Sequence, residues 1–375
     1  MIDNSLGGAR RGRVMAALCV ATALFILLVL SACGGGGGDS QTSDAGPSPS
    51  ASALNGEDYS QFADTPEDMA DKGPEVDPSQ YVAVSDLSVT TGLPRDWTNI
   101  LLIGEDWQVG GGRGRADTMI IASINNEDGR VKLASVQRDT IVDIPGIGRQ
   151  RLNSSHQYGG PELTMKMINE YFGMNIESYV TVNFLSFPVI VERLGGITMD
   201  ITEAEWKSLR KGVGNSIFHD IVAEKETGRP MPDLDNAFEP EGYGVVRLTG
   251  RQTLAYARIR SIDSDFARSL RQRKVLMAIL LEVKGSSISE LTDLAEELIP
   301  SVVTNLKTMT MISLAIPVMA RNDSSPITAE CRLPVSGSYE ERRDLIGKDL
   351  TTEALAFFDT DFAANRNYLY DFIYN

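Results

Sequence analysis

The chain has 375 residues, 42% of them hydrophobic, and a formal net charge of −16. That is enough apolar material for one large core or two modest ones. The acidity argues against a nucleic-acid surface. Two histidines exclude a three-histidine zinc site, and without a G-x-S-x-G elbow a standard serine hydrolase is unsupported.

In chain order, Arg10, Arg11 and Arg13 precede an uncharged apolar run, Val14 to Leu30. This is the pattern of an export signal, and the run is just long enough to span a bilayer. The residues that follow, "LSAC" (Leu30 to Cys33), resemble the lipobox of bacterial lipoproteins. That resemblance implies a signal peptide over 1–32, cleavage before Cys33, lipidation of its thiol and a membrane anchor through the lipid. An uncleaved signal anchor, a single N-terminal transmembrane helix, is the alternative. Both readings put residues 34 onward at the extracytoplasmic face of a cell membrane.

Residues 33–92 read as the lipidated cysteine and a disordered linker. They open on five glycines, and residues 39–86 hold eleven acids against one lysine. So little apolar content cannot pack, and like charges keep the tether extended. Cys331 is the one cysteine left for the folded part, which rules out a disulfide there. It is expected as a small buried residue.

Residues 93–375 form the folded domain, with a motif-bearing core at 97–284 and a completing part at 285–375. "TNILLIGED", "TMIIASIN" and "VKLASVQRDTIVDI" predict buried strands. "GGPELTMKMINEYFG" predicts a helix, with Pro161 at its start and Gly173 at its end. "YVTVNF" and "ITMDIT" read as strands around a short helix, "SFPVIVERLGG". Residues 203–247 are polar and without a period, which predicts a long surface excursion. "TLAYARIR" reads as a strand and 265–284 as an amphipathic helix. In the last part, 287–303 reads as a helix, and "MISLAIPV" and "AECRLPV" read as strands. Strands alternating with helices argue for an α/β layered domain.

Against that scaffold the charged residues fall into three groups. Arg258 and Arg260, two apart on a strand, would leave one face together. Arg268, Arg271 and Gln272 share a face of the next helix, and Asp265 caps its start. A planar guanidinium grips phosphate oxygens in pairs, so this cluster points to an anion site; a solvated helix face is the competing reading. Asp106 and Asp117 sit at adjacent strand ends, around "WQVGGGRGRA" with Arg113 and Arg115. That loop lacks the Gly-Lys-Ser/Thr ending and precedes a strand, so it is no Walker loop. The two carboxylates suit a hard cation, or one is a turn residue and the other a strand-edge charge; spacing does not choose. Arg138 and Asp139 end a strand near Asp117, and Arg151 and Asn153 lie on the next loop. A salt bridge between Arg138 and an aspartate is the structural alternative there. Arginine, aspartate and a metal are what phosphoryl transfer requires.

Together "NILLIGED", "ADTM", "SVQRDT", "RLNSS", "YGGPEL", "YVTVNF", "ERLGGI", "LTGRQTLAYARIR" and "DFARSLRQR" resemble the LytR-CpsA-Psr family of cell-envelope phosphotransferases. The resemblance implies an α-β-α sandwich with a central mixed β-sheet and an apolar lipid groove. It implies Mg²⁺- or Mn²⁺-dependent transfer of a glycopolymer from a polyprenyl-pyrophosphate carrier to a peptidoglycan acceptor. It further implies Asp106 and Asp117 as metal ligands and Arg138 as the central arginine. Asp265 and Asp139 join the catalytic group. Arg113, Arg115, Arg151, Arg258, Arg260, Arg268, Arg271 and Gln272 become the pyrophosphate-binding set. A monomer is expected, and nucleic acid is not. Three departures stand out: Gln137 where the family has proline, Arg151 where it has lysine, and "SDFAR" where it has "GDFGR". A hydrolase releasing the polymer to water, or a non-catalytic glycolipid-binding lipoprotein, would use the same anion site.

Overall fold

The three apolar runs at the start of the folded region become three neighbouring strands in a computed structural model of the chain. It describes residues 61, 76–106, 112–183, 185–228, 230, 232–259, 262, 264–285, 302–321, 325, 327–342 and 357–375. The expected export segment, Cys33, most of the expected linker, Arg260 and residues 287–301 of the expected helix lie outside these.

Strands β1 (Trp97–Glu105), β2 (Ala116–Asn125) and β3 (Val131–Val136) precede a hairpin, β4 (Ile141–Ile144) and β5 (Gly148–Arg151). Then come α1 (Ser154–Phe172), β6 (Ser178–Asn183), α2 (Phe187–Arg193), β7 (Ile197–Ile201), α3 (Glu203–Thr227) and β8 (Gly244–Leu248). The chain continues with α4 (Gly250–Arg258), α5 (Asp265–Gly285), β9 (Val303–Thr304), α6 (Thr308–Ala320) and β10 (Ile327–Leu333). It ends on β11 (Tyr339–Arg342), β12 (Phe357–Thr360) and α7 (Phe362–Tyr374).

Six strands form one sheet in the order β10-β3-β2-β1-β6-β9. It is mixed: β1 runs antiparallel to β2 and parallel to β6, and β10 runs parallel to β3. Alternate residues of β1 serve opposite faces, as a strand's period of two requires. Ile100 and Leu102 join a core with residues of α2, α3, α4, α5 and α6. Leu101 and Ile103 join a second core with residues of α1 and α7. Helices on both faces bury the sheet, which is why its strands read as continuous apolar runs rather than alternating ones. The expected α-β-α sandwich is the fold.

Four expectations are corrected. Residues 203–227 are a helix. Its Leu209, Val213 and Ile217 are buried at i, i+4 and i+8, but Asn215, Ser216, His219 and Asp220 are buried beside them. The polar residues on its inward side hide the period. "TLAYARIR" is helical through Arg258. A capping box opens it, with Thr249 and Gln252 bonding reciprocally. Thr202 and Glu205 open α3 in the same way. "MISLAIPV" is also helical; a short apolar run does not separate strand from helix. Last, part of the expected linker is docked. Val82, Val84 and Leu87 pack on the second core, and Val82 N–H donates to the Tyr158 carbonyl at 2.8 Å. Among acids, that short alternation is easily overlooked.

Elsewhere the elements follow their local signals. Pro161 opens a regular helical segment after a break at Gly159 and Gly160, and Gly173 ends it in the left-handed conformation at φ 68°. Cys331 is buried, and burial pushes its thiol up to about 12, so it is not a nucleophile at neutral pH.

Candidate active site

The antiparallel pairings bring the C-terminal ends of β1 and β3 to the start of β2. Gly104 faces Thr118 and Met119 faces Val136. A bulge between Gly104 and Glu105 ends β1, and Asp106 follows. Asp106 is closed against the returning chain: its N–H donates to the Arg115 carbonyl at 3.1 Å, and its Oδ1 accepts from the Arg115 N–H at 2.5 Å. Glu105 Oε1 accepts from Gly114 N–H at 2.9 Å. A side chain at Gly114 would collide with the carbonyl and carboxylate oxygens of Asp106, so only glycine lets the loop close here.

Asp117 Oδ1 accepts from Arg138 Nη1 at 3.3 Å and from Asn153 Nδ2 at 3.0 Å. Arg138 Nε lies 3.3 Å from Asp139 Oδ2, and Arg151 Nη1 lies 3.4 Å from Asp139 Oδ1. Asp106, Asp117, Arg138, Asp139 and Arg151 are all buried. The structural alternative for Arg138 is therefore present as geometry: it sits between two carboxylates. Burial, and then the neighbouring Asp117 charge, push the Asp106 carboxyl well above its ordinary range.

Two close, buried carboxylates with this mutual repulsion are a donor set that a hard cation would relieve. Among the described residues no group of three or more His, Cys, Asp or Glu gathers to hold a metal. Two protein carboxylates nevertheless fit Mg²⁺, which keeps several waters and takes substrate phosphate as well.

Helix α5 is fastened to the same end of the sheet. Gln137 Nε2 donates to Ser269 Oγ at 3.0 Å, and Arg273 Nη1 donates to Ser135 Oγ at 2.7 Å. These contacts carry Arg268 and Gln272, both buried, on the adjoining row of the helix. Arg271 turns elsewhere: Nη2 donates to the Ile259 carbonyl at 2.7 Å, and Nη1 lies 3.6 Å from Glu205 of α3. Arg258, at the last turn of α4, donates to Asn215 Oδ1 at 3.0 Å. Arg258 is therefore the last residue of a helix rather than part of the expected strand, Arg260 lies outside the described residues, and α3 holds Arg258 and Arg271. Arg115 is buried, its Nε 3.0 Å from Gln157 Oε1, while Arg113 is exposed and stacks 4.4 Å over the Tyr81 ring. Asp265 starts α5; its side chain lies outside the description.

The structure thus brings together Asp106, Arg115, Asp117, Arg138, Asp139 and Arg151, with α5 fastened beside them. Gln157, Asn215, Glu205 and Ser269 are supporting residues that sequence reasoning does not single out. Only Glu205 carries a local signal, as the third residue of a capping box.

A family model, that of the LytR_cpsA_psr family, matches residues 58–345. The polyisoprenyl-teichoic acid–peptidoglycan teichoic acid transferase TagU of Oceanobacillus iheyensis is 31% identical over 214 residues, 54% of this chain and 56% of that protein. The protein of the same name from Enterococcus faecalis is 32% identical over 220 residues, 56% of this chain and 60% of that protein. The matches thus span little more than half the length of these curated relatives. Among solved structures, Bacillus subtilis TagV superposes with a TM-score of 0.55 at 22% identity, covering 75% of this chain and 98% of TagV. TagT bound to LIIa-WTA gives 0.52 at 21% identity, covering 78% of this chain and 93% of TagT. At these identities the two structures bear on the fold alone.

Proposed function

Since the chain belongs to the LytR_cpsA_psr family, we propose that it transfers a glycopolymer from a polyprenyl-pyrophosphate carrier to a peptidoglycan hydroxyl. The observation that carries this reading is the buried network of Asp106, Asp117, Arg138, Asp139 and Arg151 at one end of the sheet. Binding a glycolipid needs cations; it does not need two repelling carboxylates held beside them.

In this reading Asp106 and Asp117 hold Mg²⁺ or Mn²⁺, which when bound neutralises phosphate oxygens and polarises the phosphorus they surround. Arg138 stabilises the charge that develops as the polyprenyl phosphate leaves. Asp139 keeps Arg138 and Arg151 apart and aimed, so little reorganisation is needed when charge develops. Arg268 and Gln272 of α5, with Arg258 and Arg260, complete the phosphate mouth. Arg271 acts by locking the turn between α4 and α5. Arg113 and Arg115 serve the loop over Asp106. Asp265 is assigned to orienting the acceptor hydroxyl. The apolar carrier would lie in a groove leading to this mouth.

We place the domain at the extracytoplasmic face of the membrane, held by lipid on Cys33 or by a single N-terminal helix. Among the described residues no helix is long and apolar enough to cross a membrane; the export segment lies outside them.

The test is the full chain with a polyprenyl-pyrophosphate glycan, peptidoglycan fragments and Mg²⁺, read by mass. Glycan joined to fragments, with polyprenyl phosphate released only when Mg²⁺ is present, is the expected result. Release without joining would make the protein a hydrolase, and tight binding without either product a glycolipid-binding protein.

The raised Asp106 pKa gives a second test. Below the ordinary carboxylate pKa its contribution to stability is fully present, and it is lost as pH rises through the folded value. In chelator, Tm is therefore expected to fall as pH rises from about 4 towards neutrality. Asp106→Asn should flatten that fall. Added Mg²⁺ should raise Tm at neutral pH in the natural chain and not in the variant. A slope and a Mg²⁺ response that survive Asp106→Asn would remove Asp106 from the metal site.

A further inference from the structure

The family match ends at residue 345, yet the chain goes on into β12 and α7, and β12 returns to the active site. We propose that Phe358 of β12 is a positioning residue that holds the Asp139 segment and the first turn of α5 in register. The inference rests on the site assignment above and adds a residue to it from outside the matched domain.

Two sets of contacts meet at Phe358. Its N–H donates to the Asp139 carbonyl at 3.1 Å, and it forms a parallel bridge with Thr140. The backbone of β12 therefore continues the pairing at the point where β3 has ended and Arg138 and Asp139 leave the sheet. The residue is 5% exposed, and its ring stacks on Phe266 with centroids 5.5 Å apart at 26°. Tyr339 packs edge-on to Phe358 at 4.9 Å and 81°, and the Arg332 guanidinium covers Phe266 at 3.5 Å. Phe266 follows Asp265 and stands two residues before Arg268. One buried aromatic group thus touches both chain segments that supply the phosphate-facing cations.

The strand itself is well anchored. Asp361 N–H donates to the Ser338 carbonyl at 2.7 Å, and Asn365 Oδ1 accepts from Val335 N–H at 2.9 Å. Leu369 and Ile373 of α7 are fully buried in the second core. Lys132 Nζ donates to the last-turn carbonyls of Phe372 and Ile373 at 2.7 and 3.1 Å, where a cation suits the helix end. A strand fixed this firmly can hold its neighbour, and a shift of about 1 Å at a reacting group can cost about a hundredfold in rate.

The experiment compares Phe358→Ala, Phe358→Leu and Phe358→Tyr in the full chain, with Val245→Ser as an exposed control. Hydrogen exchange is followed at 138–140 and 265–268 against β1 and β2, alongside kcat and KM. Phe358→Ala is expected to speed exchange in those two segments alone. It should lower kcat by about a hundredfold while KM stays within about threefold. Phe358→Tyr, which keeps the ring, should restore both. If Phe358→Ala fails to fold, Phe358→Leu keeps the apolar volume without the stack, and the same selective pattern is expected at smaller size. Unchanged exchange in the two segments, or exchange that rises equally in β1 and β2, overturns the proposal. Selective exchange with kcat unchanged also overturns it. Should the natural chain transfer nothing, the proposed function fails, and the exchange result alone then decides whether Phe358 holds the two segments.

Discussion

Arg138→Ala is expected to lower turnover by about a thousandfold, the loss typical of removing one charge-stabilising donor from a preorganised site. Binding of the glycolipid should largely persist, because the arginines of α5 remain. The variant also leaves Asp117 and Asp139 buried without the guanidinium between them, so a lower Tm is expected. Arg138→Lys separates the two effects. It keeps the charge and should regain much of the Tm. One ammonium cannot reproduce a fork that reaches Asp117 through Nη1 and Asp139 through Nε, so turnover should stay at least about tenfold down. The reconstituted transfer assay and a thermal melt check both. Turnover equal to the natural chain in Arg138→Ala would reduce Arg138 to a structural ion pair.

The largest effect on stability is expected away from the site, at Arg251 and Asp220. The pair joins α4 to α3 at 2.5 Å, with Ser216 Oγ 3.1 Å from the same nitrogen, and Arg251 is fully buried. Asp220→Ala would leave that guanidinium uncompensated, at a cost of about 3–5 kcal/mol. For a domain of this size Tm should fall by roughly 10 °C. Arg251 Nε and Nη2 meet no acceptor among the described residues, so the pair is incompletely satisfied even when intact. Replacing both partners, Arg251→Met with Asp220→Leu, should therefore recover most of the loss. Thermal melts of the single and double variants test this; a double variant no better than Asp220→Ala would show that the polar contacts themselves stabilise the helix pair. Because α4 carries Arg258 at its last turn, the single variant should also lower transfer, and the double variant should restore it.

By itself the sequence determined the buried strands, because β1, β2 and β3 are covered on both faces and read as unbroken apolar runs. It determined the helix from Asp265, whose apolar period is long enough to read. It also placed Asp106, Asp117, Arg138 and Asp139 close together, since residues at the joined ends of adjacent strands must meet. The family resemblance lay in those same segments. Only the tertiary structure decided the rest. α3 buries Asn215, Ser216, His219 and Asp220, and a helix whose polar residues find partners in other helices shows no amphipathic period. α4 and α6 are short segments, the second of them an apolar run, whose state depends on what covers them. The direction of each arginine was equally hidden. Arg258 and Arg271 turn to α3, Arg113 faces outward, and Arg138 and Arg151 share Asp139, because a long side chain goes to whichever partner the fold brings near, an amide or backbone carbonyl as readily as a carboxylate. Nor does any local pattern announce that Phe358, more than two hundred residues from Asp139, donates its N–H to the Asp139 carbonyl and stacks on Phe266. That contact exists because α7 is drawn onto the sheet by burial, and β12 is carried with it.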